Sequence, residues 1–311
     1  MNGQAVLAPA GPDGERLAEL SWLLFGGGAL IFLAVAVFIA LAIFGGARAR
    51  ANLGSRRFIL AGGVAFPVIV LSALLLHVLF LARALGLPGG EAPLRVEMIG
   101  HQFWWEVRYP DTLPGGGIVT ANELRIPTGR DVVLEVASAD VIHSVWIPAL
   151  HGKIDMIPGR VNTRRIRADR PGVLRGQCTE FCGTQHAMMA FMVVAETPEG
   201  FAAWLDRQRL PAAEPRDEEL ALGRRVFGAA GCGGCHAVRG TQWNAGIGPD
   251  LTHVGSRLTL AAGSLQNHRG TLAGWIAGSQ DLKPGNGMPS FATVLDGPEL
   301  RAVSAWLESL R

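Results

Sequence analysis

Charge is scarce in this chain. Asp, Glu, Lys and Arg make up 17% of 311 residues, where soluble domains carry about a quarter. The two signs nearly cancel to a formal net charge of +2. That excludes a polyelectrolyte surface and gives no case for nucleic-acid binding. Lysine is almost missing: of 28 basic residues only Lys153 and Lys283 are lysine, and the sequence attaches no function to that bias. Cysteine is confined to four positions, far too few for a disulfide-stapled scaffold. Apolar residues, by contrast, reach 49%, and the mean hydropathy is +0.27. This composition excludes a disordered chain and suggests a membrane portion. The length implies two or more domains.

Two apolar runs, residues 21–44 and 58–82, hold no Asp, Glu, Lys or Arg. Each exceeds the roughly 20 residues that a helix needs to cross a hydrocarbon core. Pro67 falls inside the second run, which membrane helices tolerate. Arg48, Arg50, Arg56 and Arg57 crowd the short connection, so the loop is expected on the cytoplasmic side. Both termini, and everything after about residue 90, are then extracytoplasmic. No basic stretch precedes the first run, so it reads as a span and not as a signal peptide. His77 in the second run reads as a packing residue.

The remainder divides in two. From residue 91 to 209 the pattern is strand-like. Phe103, Trp105, Val107 and Tyr109 alternate with Trp104, Glu106 and Arg108, and Val132, Leu134 and Val136 repeat the period of two. Short strands between Gly and Pro turns predict a β-sandwich or barrel. Residues 210–217 are rich in Pro, Ala and acid and read as an exposed linker. From 218 to 311 the pattern is helical: Pro298 opens a last helix with Leu300, Val303, Leu307 and Leu310 on one face, and Thr271 is a candidate cap for another. So small a helical domain needs something besides its core to organise around. The chain is therefore predicted to be a multidomain membrane protein. Its parts are an extracytoplasmic segment (1–20), a two-helix transmembrane hairpin (21–90), an all-β domain, a linker and an all-α domain.

Chemistry concentrates at two places. The segment from Gln177 to Met189 carries Cys178, Cys182, His186 and Met189, and His143 lies upstream. Thiolates, imidazoles and a thioether form a soft to borderline donor set, which selects copper or zinc over calcium or magnesium. Two thiolates can bridge two copper ions that share one unpaired electron, and the chemistry expected is one-electron transfer. A structural zinc site would leave Met189 without purpose, and a disulfide between Cys178 and Cys182 would leave both histidines without purpose. Met188 beside Met189 is a rival donor.

The CxExCxxxHxxM pattern, preceded by Asp140-Val141-Ile142-His143, resembles subunit II of haem–copper cytochrome oxidases. So do Lys153 to Arg160 and the run Gly100-His101-Gln102-Phe103-Trp104-Trp105. The resemblance implies a cupredoxin-like Greek-key fold and a binuclear copper centre, CuA. Its implied ligands are His143, Cys178, Cys182, His186, Met189 and the backbone carbonyl of Glu180. It also implies a magnesium ion reached by the Glu180 side chain at the interface with a catalytic subunit. Phe103, Trp104 and Trp105 are the candidate electron relay. The family often has Trp at the position of Phe103, where electrons from cytochrome c enter; Phe has no N–H to donate. His101 and His151 read as structural, and Asp140 is a candidate anchor for His143.

The second place is Cys232-Gly233-Gly234-Cys235-His236, the CxxCH attachment signature of c-type haem. Gly248-Pro249-Asp250-Leu251 and the loop from Lys283 to Pro289 come after it, and together they resemble class I cytochrome c. The resemblance implies covalent haem on Cys232 and Cys235, His236 and Met288 as axial ligands, and the Pro249 carbonyl orienting the His236 ring. His253 and His268, rival sixth ligands, read as surface histidines. All four cysteines are then used.

These readings imply an electron-transfer subunit of a respiratory cytochrome c oxidase. It would pass electrons from cytochrome c through its own haem c and CuA to a haem–copper subunit I, with subunit III alongside, in a bacterial cell membrane. Subunit I would reduce O2 to water and pump protons. Three other readings stay open: a similar subunit of a nitric oxide reductase, a non-enzymatic copper-binding or copper-transfer protein, and a quinol-oxidase subunit that has lost copper. The intact ligand set argues against the last.

Overall fold

A computed structural model describes residues 5–85, 92–112 and 117–311. The chain forms two compact units, one of Glu15–Pro88 and one combining Met1–Gly14 with Gly89–Arg311. The boundary expected at residue 90 lies outside the described residues.

In the first unit, α1 (Pro12–Phe44) contains the first apolar run. It starts nine residues before that run because residues 12–20 continue the helix with polar side chains. After α2 (Ala47–Leu53), the second apolar run is α3 (Arg56–Leu60), a π turn (Ala61–Ala65) and α4 (Phe66–Ala84). Pro67 brings no N–H to the ladder, and just before it the helix widens, with the Phe66 N–H reaching back to Ala61 O. Phe38 and Phe58 meet edge to face at 5.1 Å. Both helices are long and apolar enough to cross a membrane, and none of their most apolar stretch is buried within the chain. Apolar surface of this extent needs a non-aqueous neighbour.

The second unit begins as a β-sandwich. One sheet has the order β3 (Ile118–Ala121), β2 (Trp104–Tyr109), β1 (Leu94–His101), β5 (Val132–Ser138), β8 (Asn162–Ile166). The other has the order β4 (Glu123–Pro127), β10 (Ala190–Glu196), β9 (Gly172–Cys178), β6 (His143–Trp146), β7 (Ile154–Met156). The pairs β1–β5 and β4–β10 are parallel and the others antiparallel; β1–β5, β5–β8, β4–β10 and β6–β9 join strands that are not consecutive, as in a Greek-key sandwich. Val96, Met98, Trp105, Val107 and Tyr109 from one sheet face Leu124, Ile126, Phe191 and Val193 from the other. Residues 9 and 10 attach to this sandwich: Ala10 N–H donates to Ala149 O, and Ala10 O accepts from Asp169 N–H.

The alternation expected along β2 fails at Glu106, which is buried. Its carboxylate, on the face of β2 away from the core, is covered by His101 at 3.3 Å and by Arg108, so a charge is buried where partners are supplied. The sandwich also ends in a helix that strand periodicity did not predict. α5 (Pro198–Arg209) is capped by Thr197, whose hydroxyl accepts from Gly200 N–H, and it lays Phe201 and Trp204 against Tyr109.

Residues 210–216 contain no helix or strand, and they are hydrogen-bonded to the C-terminal domain. Leu210 O accepts from Arg239 Nη2 at 2.8 Å and from His253 Nε2 at 3.0 Å, and Ala212 N–H donates to Arg239 O at 2.8 Å. His253 is therefore buried and not the surface residue expected. The C-terminal domain has its own core, built from α6 (Glu218–Ala229), a hairpin of β11 (Thr259–Leu260) and β12 (Leu265–Gln266), α7 (Arg269–Ala277), α8 (Ser279–Leu282) and α9 (Gly297–Ser309). The domain is helical as expected, with this one short hairpin added. Asp217 caps α6, and Asp296 with Glu299 forms a capping box on α9. His268, not Thr271, caps α7; Thr271 closes the box from the third helical position. Phe227, Trp243 and Trp306 form an aromatic triangle with centroid separations of 4.8, 5.0 and 5.9 Å.

α6 crosses α9 at Gly223, where an added Cβ would sit 2.1 Å from Ala302 O. That neighbour is backbone and cannot turn away. Gly223→Val is expected to destabilise the C-terminal domain by roughly 2 kcal/mol or more, lowering its thermal midpoint while the sandwich's near-ultraviolet signal melts unchanged.

Candidate metal centres

The first cluster is built by strand register. β9 and β10 pair Gln177 with Ala190, and Cys178 N–H donates to Met189 O at 2.9 Å. The loop between them must therefore close, bringing both ends together. β6 pairs Val145 with Cys178, which places His143 beside the same strand end. Thr179 N–H donates to Ser144 O, and Gln102 Nε2 donates to Cys182 O at 2.6 Å, fixing the loop from both sheets.

The donor atoms converge. Cys178 Sγ lies 3.8 Å from Cys182 Sγ, 3.9 Å from His143 Nδ1 and 3.1 Å from Glu180 O. Cys182 Sγ lies 3.8 Å from His186 Nδ1 and 3.8 Å from Met189 Sδ. His143, both cysteines and Met189 are buried. Met188 turns outward, 39% exposed. The two sulfurs are unbonded, so a disulfide does not account for the loop.

The electrostatics of the pair call for a cation. Cys178 and Cys182 share one hydrogen bond in a desolvated pocket. That bond, with His143 beside it, holds the Cys178 thiol far below its usual range, at about 3, and the resulting thiolate drives Cys182 far up. Two adjacent thiolates therefore exist only against positive charge. His143 is desolvated, yet its hydrogen bonds to Cys178 and Asp140 hold its pKa up. Asp140 Oδ1 lies 2.8 Å from His143 Nε2; with the proton on Nε2, the lone pair of Nδ1 points at the sulfurs. This set of sulfur, imidazole and carbonyl donors fits copper, and the thioether of Met189 has a place in it.

The Glu180 carboxylate turns the other way and is 3.2 Å from Lys153 Nζ, which also holds Asp155 at 2.8 Å. In this chain the Glu180 carboxylate is thus paired with Lys153 at the surface.

The three relay candidates separate. Trp105 is buried with its ring 6.2 Å from that of His143. Trp104 points to the opposite face of β2 and stacks on His101 at 4.3 Å. Phe103 is only 7% exposed, and its ring packs on Gly183 beside Cys182. His151 Nε2 is buried 3.7 Å from Asp13 Oδ2.

The second cluster lies just past α6. Cys232 to Gly234 form a short turn that returns His236 N–H to Cys232 O at 3.0 Å. His236 Nδ1 donates to Pro249 O at 2.7 Å, which leaves Nε2 as the free acceptor. Burial lowers the His236 pKa and keeps the ring neutral, the form that ligates metal. Gly248 passes so close to this ring that a Cβ there would meet it at 2.7 Å. Met288 is fixed by its backbone: its N–H donates to Asn286 Oδ1, and its carbonyl accepts from Ser279 Oγ and Gln280 Nε2, each at 2.7 Å. Cys232 is half-buried and Cys235 exposed. A thiol pair on one turn, an oriented neutral imidazole and a tethered thioether fit covalently attached haem.

Comparison with known proteins agrees with this division. Residues 116–196 match the family described as cytochrome c oxidase subunit II, periplasmic domain, and residues 220–311 match cytochrome c. The chain joins a cytochrome c oxidase subunit II domain to a cytochrome c domain. Cytochrome c oxidase subunit 2 of Alkalihalophilus pseudofirmus is 38% identical over 222 residues, covering 71% of this chain and 63% of that protein. The corresponding protein of Bacillus subtilis is 29% identical over 71% of this chain and 63% of its own length. The chain thus matches about 63% of the length of these curated relatives. The crystal structure of the periplasmic domain of the subunit II of Bradyrhizobium japonicum is 31% identical over 39% of this chain and 96% of its own, with a TM-score of 0.36.

Sequence reasoning named the converging donors but missed Lys283, which is buried against the subunit II domain. The only available signal was the rarity of lysine.

Asp140→Asn keeps the shape and removes the charge that orients His143. Copper affinity is expected to fall about 10–100-fold, measured by competition with a chelator, with haem content unchanged. The Asp140 pKa, which burial would raise, is held below the usual 3.8 by hydrogen bonds from His143, Gln102 and Val141. Its contribution to the stability of the metal-free chain is therefore full above pH 3.8 and lost as pH falls through the depressed value. The Asn variant should lack that acid-side slope.

Proposed function

We propose that this chain is the membrane-anchored electron-input subunit of a bacterial respiratory cytochrome c oxidase. In this reading residues 21–90 form a two-span anchor, 91–209 the copper domain, 210–217 the linker and 218–311 the cytochrome c domain. Both domains and both termini lie on the extracytoplasmic side. The observation that carries the reading is the convergence of His143, Cys178, Cys182, His186 and Met189 at one buried point, in a chain that also holds CxxCH on a cytochrome c domain.

Binuclear copper at the first cluster and haem c at the second, when bound, supply one-electron transfer in series from a cytochrome donor toward a haem–copper subunit I. The chain's residues prepare those sites. His143 and His186 would offer Nδ1, Cys178 and Cys182 would offer sulfur, and Met189 and the Glu180 carbonyl would complete the set. Burial of four of these groups keeps water out and limits rearrangement when charge changes. Asp140 holds the proton on His143 Nε2. Cys232 and Cys235 would tether the haem, Pro249 orients His236, and Asn286 with Ser279 holds the Met288 backbone. Partnership with subunits I and III is part of the proposal, as is delivery of electrons by a separate cytochrome. Glu180 is the residue that would face magnesium shared with subunit I, and it would first have to leave Lys153.

Metal analysis of the full chain should give two coppers and one iron, with a multi-line copper hyperfine pattern in electron paramagnetic resonance. A zinc-loaded preparation would overturn the reading. Cys178→Ser should abolish that pattern while haem survives denaturing electrophoresis. Copper affinity should fall in acid, since the ligands bind deprotonated. Oxygen uptake, and not nitric oxide consumption, is expected of the complex purified with its partners.

A further inference from the structure

Lys283 stands in the loop of the cytochrome c domain that leads to Met288, and it is 2% exposed. A buried lysine normally lays its stem along apolar surface and keeps its ammonium in water. Here the ammonium itself is buried. Its three donors meet three backbone carbonyls: Met188 O at 3.0 Å, Ala261 O at 3.1 Å and Phe103 O at 3.4 Å. Ala261 belongs to the cytochrome c domain; Phe103 and Met188 belong to the subunit II domain. An ammonium has three N–H groups and no acceptor, so this set satisfies it. Burial pushes its pKa down to about 8, while the nearby Cys182 sulfur works the other way.

Independent contacts surround it. Ala190 N–H donates to Ala262 O at 3.0 Å, and Leu258 N–H donates to Glu123 Oε2 at 2.8 Å. Gln185 Nε2 donates to Pro284 O at 2.8 Å. The turn that presents Ala261 O and Ala262 O is itself unusual. Ala261, Ala262 and Gly263 have φ of 51°, 56° and 77°, a left-handed region that alanine avoids. Such strain persists where surrounding structure over-determines it. Both alanine carbonyls are engaged at this interface.

We infer that Lys283 is an internal latch: its ammonium, inserted from the cytochrome c domain, holds that domain closed over the Phe103 side of the copper loop. The inference rests on contacts within the chain and stands whichever metals the clusters bind.

The test uses the full-length chain in detergent with both cofactors, carrying a protease site inserted between Ala213 and Glu214. After cleavage, the wild-type cytochrome c domain should stay with the membrane-anchored part through size exclusion, and in Lys283→Gln it should separate. Without cleavage, amide exchange at Ala190 and Leu258 should be at least tenfold faster in Lys283→Gln, with β5 and α9 unchanged. Lys283→Met, which keeps the length of the stem, should behave as the Gln variant and serves if that one does not fold. Separation of the cleaved wild type, or variants with wild-type exchange and association, would overturn the latch. An unaltered haem spectrum in the variants distinguishes opening of the interface from damage to the haem site.

Discussion

Two sulfur atoms 3.8 Å apart in a buried pocket set the terms for the rest of the subunit II domain. Neither can be left as an ordinary thiol pair without wasting the histidines aimed at them, and both cannot be thiolates without a cation. The sandwich is arranged to make that demand permanent. β9 and β10 fix the two ends of the loop, β6 brings His143, and Gln102 holds the Cys182 carbonyl from the other sheet. The distances belong to a backbone that is already hydrogen-bonded, so the donors wait in place. Such preorganisation keeps the rearrangement that accompanies a change of charge small.

The cytochrome c domain solves a different problem with the same means. Its core is small and aromatic, its helices approach through Gly223, and both proposed iron ligands are held by backbone or carbonyl hydrogen bonds. Two cores that share no buried cluster would ordinarily move apart on a linker. Here residues 210–212 are pinned by Arg239 and His253, and β10 is buried on both faces, one of them under the 261–263 turn. The linker therefore restricts the range of positions before any contact across the interface forms.

Much of this was legible in the residues. Spacing within CxExCxxxHxxM and CxxCH constrains chemistry through short loops, and the apolar runs and the alternation along β5 and most of β2 report burial directly. What was not legible depends on pairing across long separations. Glu106 is covered because His101 and Arg108 meet it. His253 is buried because a linker 43 residues away needs a donor. Lys283 lies 95 residues from Met188 and 180 from Phe103, and no periodicity could have joined them. α5 was missed because Phe201 and Trp204 are too few to mark a helical face without knowing that Tyr109 receives them.

The position of Phe103 draws these strands together. A residue that receives electrons from a diffusing protein must be part of a collision surface, and a large amphipathic ring such as Trp suits an interface that forms and breaks. Phe103 is covered in this chain, its carbonyl is taken by Lys283, and its ring lies against Gly183. In the proposed function donor and acceptor share one polypeptide, so their association is intramolecular at high effective concentration. The surface between them can then be chosen for persistence and not for turnover. A phenyl ring without a hydrogen-bond donor, packed in a closed interface, is what that choice selects. The unusual residue and the buried lysine are two sides of the same constraint.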